Sequence, residues 1–111
     1  MKYFPSYSFP DISSDVEVVI RNKRPSKRDF YSGYRPAFKV KEDYLTTGII
    51  RLIGTDKLSY NHEAKAEIWF LTPEFYPNCL KVGQVIQFQE GAIVHGFATI
   101  TKIKNKILEA K

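Results

Sequence analysis

Arg21-Asn22-Lys23-Arg24-Pro25-Ser26-Lys27-Arg28 places five cations within eight residues, the densest concentration of charge in the chain. Pro25 has no N–H to give to a ladder, so the run cannot be a central strand and is read as an exposed loop. Cations on such a loop attract polyanions at long range, which makes Lys23, Arg24, Lys27 and Arg28 candidate nucleic-acid contacts. The other reactive side chains are sparse. His62 and His95 fall in different elements, and Cys79 follows a Pro-Asn turn with no cation nearer in sequence than Lys81, so no activated nucleophile is expected. Two histidines and one cysteine without ligand spacing do not make a metal site. Glu63 and Glu67 are four apart, which on a strand puts them two pleats apart on one face, and they read as a solvated face rather than an acid and base pair. No G-x-x-x-x-G-K-[ST] is present to cradle a nucleotide. The expectation is a protein that is not an enzyme and takes no cofactor, metal or nucleotide.

The elements that would position the basic loop are short strands. Val16, Val18 and Ile20 alternate with Glu17, Val19 and Arg21, giving a first strand over Asp15 to Arg21. Phe30-Tyr31-Ser32-Gly33-Tyr34-Arg35-Pro36-Ala37-Phe38 ends the loop and launches the next strand, with Phe38 and Val40 on one face and Lys39 and Lys41 on the other. A turn at Asp43 to Thr46 leads to a branched-residue strand over Thr47 to Gly54. Glu63 to Leu71 follows, with Ala64, Ala66, Ile68 and Phe70 sharing a face and Trp69 on the other, where it is expected to pack under the aromatics of the N-terminal segment. Thr72-Pro73-Glu74-Phe75 resembles a helix start that Pro77 limits to about one turn. Val82 to Gln89 and Ile93 to Ile103 close as a hairpin across Glu90-Gly91-Ala92. Six strands with regular turns and no scaffold helix favour an all-β closed barrel or a small sandwich. The shared phase puts Val16, Val18, Ile20, Phe38, Val40, Ile50, Leu52, Ala66, Ile68, Phe70, Ile86, Phe88 and Ile100 inside.

Length and composition fit that reading. A chain of 111 residues, 43% hydrophobic and 14% aromatic, is one domain with its own core. The expected division is an extended lead-in over residues 1–12, the barrel over 13–103 and a polar tail over 104–111 anchored by Ile107 and Leu108. A net charge of +5 admits a polyanionic partner without requiring one. Cys79 is the single cysteine, which suits a reducing compartment. Pro and Ser interrupt the N-terminal residues too often for a signal peptide, and no stretch is apolar enough for a membrane helix, so a cytoplasmic location without membrane contact is expected.

Tyr31-Ser32-Gly33-Tyr34-Arg35-Pro36-Ala37-Phe38, Thr46-Thr47-Gly48, and Gln89-Glu90-Gly91 leading to Gly96 and Thr101-Lys102-Ile103 resemble, in order and spacing, the C-terminal barrel of bacterial elongation factor Tu. The resemblance covers roughly Ser13 to Ile103. It implies a six-stranded antiparallel closed β-barrel and a role in translation, since that domain grips the T stem of aminoacyl-tRNA and packs on a GTPase domain. It also implies that Arg35 and the Glu90-Gly91 turn meet RNA backbone: a guanidinium offers paired donors, a turn glycine allows close approach, and a carboxylate can accept from a 2′-hydroxyl. The chain departs from the family at Gln89, where the family has Arg, and at Ala92 and Ile93, where it has Gly and Arg. The family's acidic loop between its third and fourth strands is replaced by Thr55 to His62. Without a GTPase motif, the chain looks like the third domain standing alone.

Two function classes follow, beside an enzyme, which would need a pocket the sequence does not advertise. In one, the barrel binds structured, tRNA-like RNA through Arg35, Glu90 and Gly91, with Lys23, Arg24, Lys27 and Arg28 as an electrostatic guide. In the other it is a protein-interaction module mimicking the elongation factor domain, such as an immunity or decoy protein that binds a toxin or a translation-factor partner. Retained Arg35 and the basic loop favour the first, and the arginines replaced by Gln89 and Ile93 favour the second. Fold alone does not choose between them.

Overall fold

The computed structural model describes residues 9–111. Among the described residues eight strands are formed: β1 (Val16–Asn22), β2 (Phe30–Tyr31), β3 (Ala37–Lys41), β4 (Tyr44–Leu52), β5 (Lys57–Leu58), β6 (Glu63–Phe70), β7 (Val85–Glu90) and β8 (Ile93–Ile103). Six of them close an antiparallel barrel in the order β1-β6-β4-β3-β7-β8, and β2 pairs with β5 as a separate two-stranded ribbon. Short 3-10 turns occupy Pro73–Phe75 and Lys106–Leu108. The expected all-β, six-stranded closed barrel is therefore the architecture, and closure leaves the branched-residue strands without sticky edges.

Period-two alternation fills the interior. Every residue assigned to the inside by phase is buried there, from Val16, Val18 and Ile20 on β1 to Ile86 and Phe88 on β7 and Ile100 on β8. Phe38, Phe70 and Phe88 form the aromatic centre, with the Phe38 ring 5.6 Å from each of the other two. Gly96 makes room for it. A Cβ there would lie 2.2 Å from the Phe88 ring and 2.3 Å from the Arg21 carbonyl oxygen, closer than any side chain can approach.

A buried polar side chain organises each end of the barrel. At the start of β1, Asp15 is only 5% exposed. Its carboxylate accepts from Phe70 N at 2.6 Å and Asn105 Nδ2 at 2.9 Å, and its carbonyl accepts from the N–H groups of Lys104 and Asn105. At the far end of β1, Asn22 is fully buried and ties down the loops described below.

The boundaries differ from the sequence reading where turns are tighter than composition suggests. β4 begins at Tyr44 rather than Thr47, because Glu42 and Asp43 alone make the turn. Asp43 takes the left-handed conformation, φ 59°, which a short polar side chain tolerates. β7 begins at Val85 rather than Val82, since Gly83 at φ 91° and a turn closed by Gln84 N to Lys81 O precede it. β2 and β5 are too short to show periodicity; they form because Phe30 and Leu58 are both drawn into the core. The closing residues 104–111 dock rather than trail. Leu108 is fully buried and Leu80 pairs with Glu109, with Ala110 N donating to Leu80 O at 2.7 Å, whereas Ile107 stays exposed.

Candidate functional site

The basic loop, the Gly33–Pro36 turn, the β5 ribbon and the Glu90-Gly91 turn all emerge at the Asn22 end of the barrel. Asn22 arranges them. Its side-chain nitrogen donates to the carbonyls of Arg28 and Leu58, each at 2.9 Å, and its oxygen accepts from Arg24 N at 3.0 Å. Its backbone pairs with the β5–β6 connection, donating to His62 O and accepting from Asn61 N. A single buried amide thus fixes both ends of the basic loop and the floor of the neighbouring one.

The loop is less free than its composition suggests. Arg24 Nη1 donates to Asp29 O at 2.7 Å, and the guanidinium lies 5.4 Å from the Tyr34 ring centroid and 3.7 Å from Glu90 Oε2. Lys23 donates to Asn61 Oδ1 at 2.9 Å and sits 5.5 Å from the Tyr60 ring. Arg21, at the end of β1, pairs with Glu63 at 2.7 Å. Lys27 and Arg28 remain exposed, Lys27 in the left-handed conformation at φ 60°. The segment expected to be an exposed cationic loop is therefore divided: Lys23 and Arg24 are engaged by the domain itself, and Lys27 and Arg28 face solvent.

The hairpin forms as expected but its turn is shorter: Glu90 is the last residue of β7, paired with Ile93, and Gly91 and Ala92 alone make the turn to β8. Gly91 adopts φ 59°, and a Cβ on it would meet open space, so its glycine serves the turn. Glu90 is occupied: Oε2 accepts from the Tyr34 hydroxyl at 2.5 Å and lies 3.5 Å from His95 Nδ1 as well as close to Arg24. Burial first, then the hydrogen bond and charge of Glu90, push the Tyr34 phenol far above its ordinary value, so it is a fixed donor at neutral pH. Arg35, next in sequence, is exposed. The structure thus joins Arg24 to Glu90 both directly and through Tyr34, with His95 beside the same carboxylate; neither Tyr34 nor His95 was among the expected binding residues. Tyr34 could have been found, since its neighbours Gly33 and Pro36 fix the backbone; nothing in the sequence marks His95.

At the opposite end lie Cys79 and the aromatic pair Tyr44 and Tyr76, whose rings are 5.0 Å apart. Burial raises the Cys79 thiol above its ordinary value, which keeps it protonated at neutral pH. His62 and His95 sit at the Asn22 end, a barrel length away from it. Among the described residues no group of three or more His, Cys, Asp or Glu is placed to hold a metal ion, and no helix is long and apolar enough to cross a membrane.

A second charged centre lies on the outer wall. Glu63 is exposed as expected, but Glu67 is only 8% exposed, so the two do not form one solvated face. Glu67 Oε1 accepts from Ser14 Oγ at 2.8 Å and Oε2 accepts from Arg51 Nε at 2.7 Å, with Arg51 Nη2 closer still and Lys104 Nζ 3.4 Å from Oε1. Burial alone would raise this carboxyl; the donors Ser14, Arg51 and Lys104 outweigh it and hold the group below the ordinary carboxylate range. Sequence alternation could not show this, because the covering residues come from outside the strand.

No family model matches the chain, and no curated protein sequence matches it.

Proposed function

We propose that the barrel is a non-catalytic binding module for structured RNA, and that it meets RNA with its Asn22 end. The observation that carries the reading is the gathering there of exposed Lys27, Arg28 and Arg35 beside a rigid turn, on a chain of net charge +5. Three cations on a preformed surface suit a phosphate backbone, for which affinity comes from charge neutralisation and register from held donors. The resemblance to the tRNA-gripping barrel of elongation factor Tu supports a tRNA-like stem as the RNA and a cytoplasmic role in translation. Lys23 and Arg24 then contribute long-range field. Glu90 acts indirectly, holding Tyr34 and Arg24, rather than by accepting from a 2′-hydroxyl.

That engagement of Glu90 favours a second reading. With its carboxylate already satisfied, the surface that resembles the elongation factor would present shape more than RNA-reading chemistry, as a protein that mimics the domain toward a toxin or a translation-factor partner would. Recovery of bound material from lysate with and without nuclease separates the two. Copurifying tRNA that nuclease removes supports the first, and one nuclease-resistant protein supports the second. In direct titrations, replacing Lys27 and Arg28 with Gln should weaken all RNAs alike and reduce the salt slope by about 0.7–0.9 per lost phosphate contact. Arg35→Ala should cost about 1.5–3 kcal/mol and erode preference among RNAs. An unchanged salt slope would refute the RNA reading.

A further inference from the structure

Trp69 and Glu67 point away from the barrel interior, since Ala66, Ile68 and Phe70 take the inner face of β6, yet they are only 5% and 8% exposed. Residues 9–14 cover them. The Phe9 ring lies 5.3 Å from the Trp69 ring at an interplanar angle of 32°. The indole N–H donates to the Ile12 carbonyl at 2.9 Å, and the Ser14 hydroxyl donates to Glu67 at 2.8 Å. Arg51 is the cross-strand neighbour of Glu67 on β4, and its guanidinium sits 5.4 Å from the Phe9 ring and 5.2 Å from the Trp69 ring. Lys104 closes the other side, between Glu67 and Glu17.

The wall of β4 and β6 thus presents three matched elements along one line: an aromatic and guanidinium platform, a fixed N–H donor, and a carboxylate held ready for a hydroxyl. The covering segment supplies their complements as an aromatic side chain, a backbone carbonyl three residues later and a hydroxyl two residues after that. Among the described residues, Asp11, Ile12 and Ser13 of this segment are exposed, Ile12 by 70%, and ladder-like backbone pairing with β6 starts only at Asp15 N to Ile68 O.

We propose that this wall is a peptide-recognition site for segments of the pattern aromatic-x4-Ser, which the chain's own residues 9–14 occupy and which the same pattern from another protein can enter in exchange. A tethered segment competes at an effective concentration on the order of millimolar, so exchange requires a partner peptide at high local concentration or a weakened tether. The site is separate from the RNA reading, lying on the flank of the barrel rather than at its Asn22 end.

The chain's single tryptophan makes the test direct. In the 111-residue chain, Phe9→Ala/Ser14→Ala should shift Trp69 emission to the red and speed exchange of its indole proton. The capped hexapeptide Phe-Pro-Asp-Ile-Ser-Ser should restore the blue emission, and should bind this variant at least about tenfold tighter than wild type, because the internal competitor is weakened. A control hexapeptide with Ala at its first and last positions should do neither. Circular dichroism establishes that the barrel persists; if the double variant loses it, Phe9→Ala alone, which leaves the Glu67 contacts intact, gives the same readout. Unchanged Trp69 emission in the folded variant, or a red shift that the hexapeptide at millimolar concentration fails to reverse, overturns the proposal.

Discussion

Replacing Asn22 with Ala should unfasten the candidate binding end more than any other single change there. The amide is fully buried and makes three hydrogen bonds, to Arg28 O, Leu58 O and Arg24 N. Each is worth about 0.5–1.5 kcal/mol net, and the bond to Leu58 O is buried, where an abandoned carbonyl loses its partner without regaining water. Summed, the loss is about 3 kcal/mol, which for a domain of this size lowers Tm by about 12 °C. Asn22→Asp sharpens the test. It keeps the shape and the acceptor toward Arg24 N but turns an oxygen toward two carbonyls, so its carboxyl should titrate above the ordinary value in the folded state. A raised folded pKa means the protonated form is favoured by folding, so this variant should regain stability as pH falls toward 4, opposite to wild-type behaviour on acidification. Urea unfolding followed by circular dichroism at pH 7 and pH 5 measures both effects. A loss below about 0.5 kcal/mol for Asn22→Ala would refute the assignment of the loop geometry to this side chain.

Gly96→Ala should be severely destabilising, by about 3 kcal/mol or more, because the clash includes the Arg21 carbonyl, part of the β1 backbone, as well as the Phe88 ring; thermal melts read it directly. Glu67→Gln tests the outer-wall carboxylate through pH: its folded pKa is depressed, so its contribution is complete above the ordinary value of 4.5 and disappears as pH falls through the lower folded one. The variant should therefore be less stable than wild type at pH 7 and lose less on acidification, and parallel acid limbs would contradict the proposed network. Tyr34→Phe removes the donor to Glu90 on a partly exposed carboxylate and should cost about 1 kcal/mol in stability, while an equal loss in Glu90→Gln with no further loss in the double variant would show that the two act as one pair.

The barrel was legible because its information is local. Alternation in Val16–Asn22, Glu63–Phe70 and Ile93–Ile103 specifies which residues face inward, and a one-residue slip of β6 would turn Ala66, Ile68 and Phe70 outward together. The ribbon of β2 and β5 was not legible, since two residues carry no period and its existence depends on Phe30 and Leu58 finding the same core. Glu67 escaped for a related reason. Its phase is that of a surface residue, and only the passage of residues 9–14 over it, with Arg51 and Lys104 from two other parts of the chain, makes it buried and charged at once. Aromatics of the N-terminal segment were expected over Trp69; Phe9 takes that place, while Tyr3, Phe4 and Tyr7 lie outside the described residues.

The most recognisable string in the chain turns out to be engaged in holding the fold. Along Tyr31-Ser32-Gly33-Tyr34-Arg35-Pro36, Ser32 Oγ accepts from Leu52 N, Gly33 N donates to Ile50 O, Tyr34 N donates to Tyr31 O and its hydroxyl to Glu90, and Pro36 O accepts from Gly48 N. The Tyr34 ring packs 4.8 Å from Phe30 and 6.0 Å from Phe88, carrying the turn onto the aromatic core. A string this constrained speaks to how the barrel is sealed where β3 begins, because its backbone is tied to β4 and the side chains of Ser32 and Tyr34 each hold a named contact. Function has to be sought in what the sealing leaves outside. Exposed at this end are Lys27 and Arg28 on the loop that Asn22 fixes, Tyr31, half exposed across the ribbon from Lys57, Arg35 within the string, and Ile53, His62 and Ile93 on the neighbouring connections. An RNA-binding barrel and a protein mimic would share the buried part of this end, and their difference must lie in the chemistry those exposed residues perform.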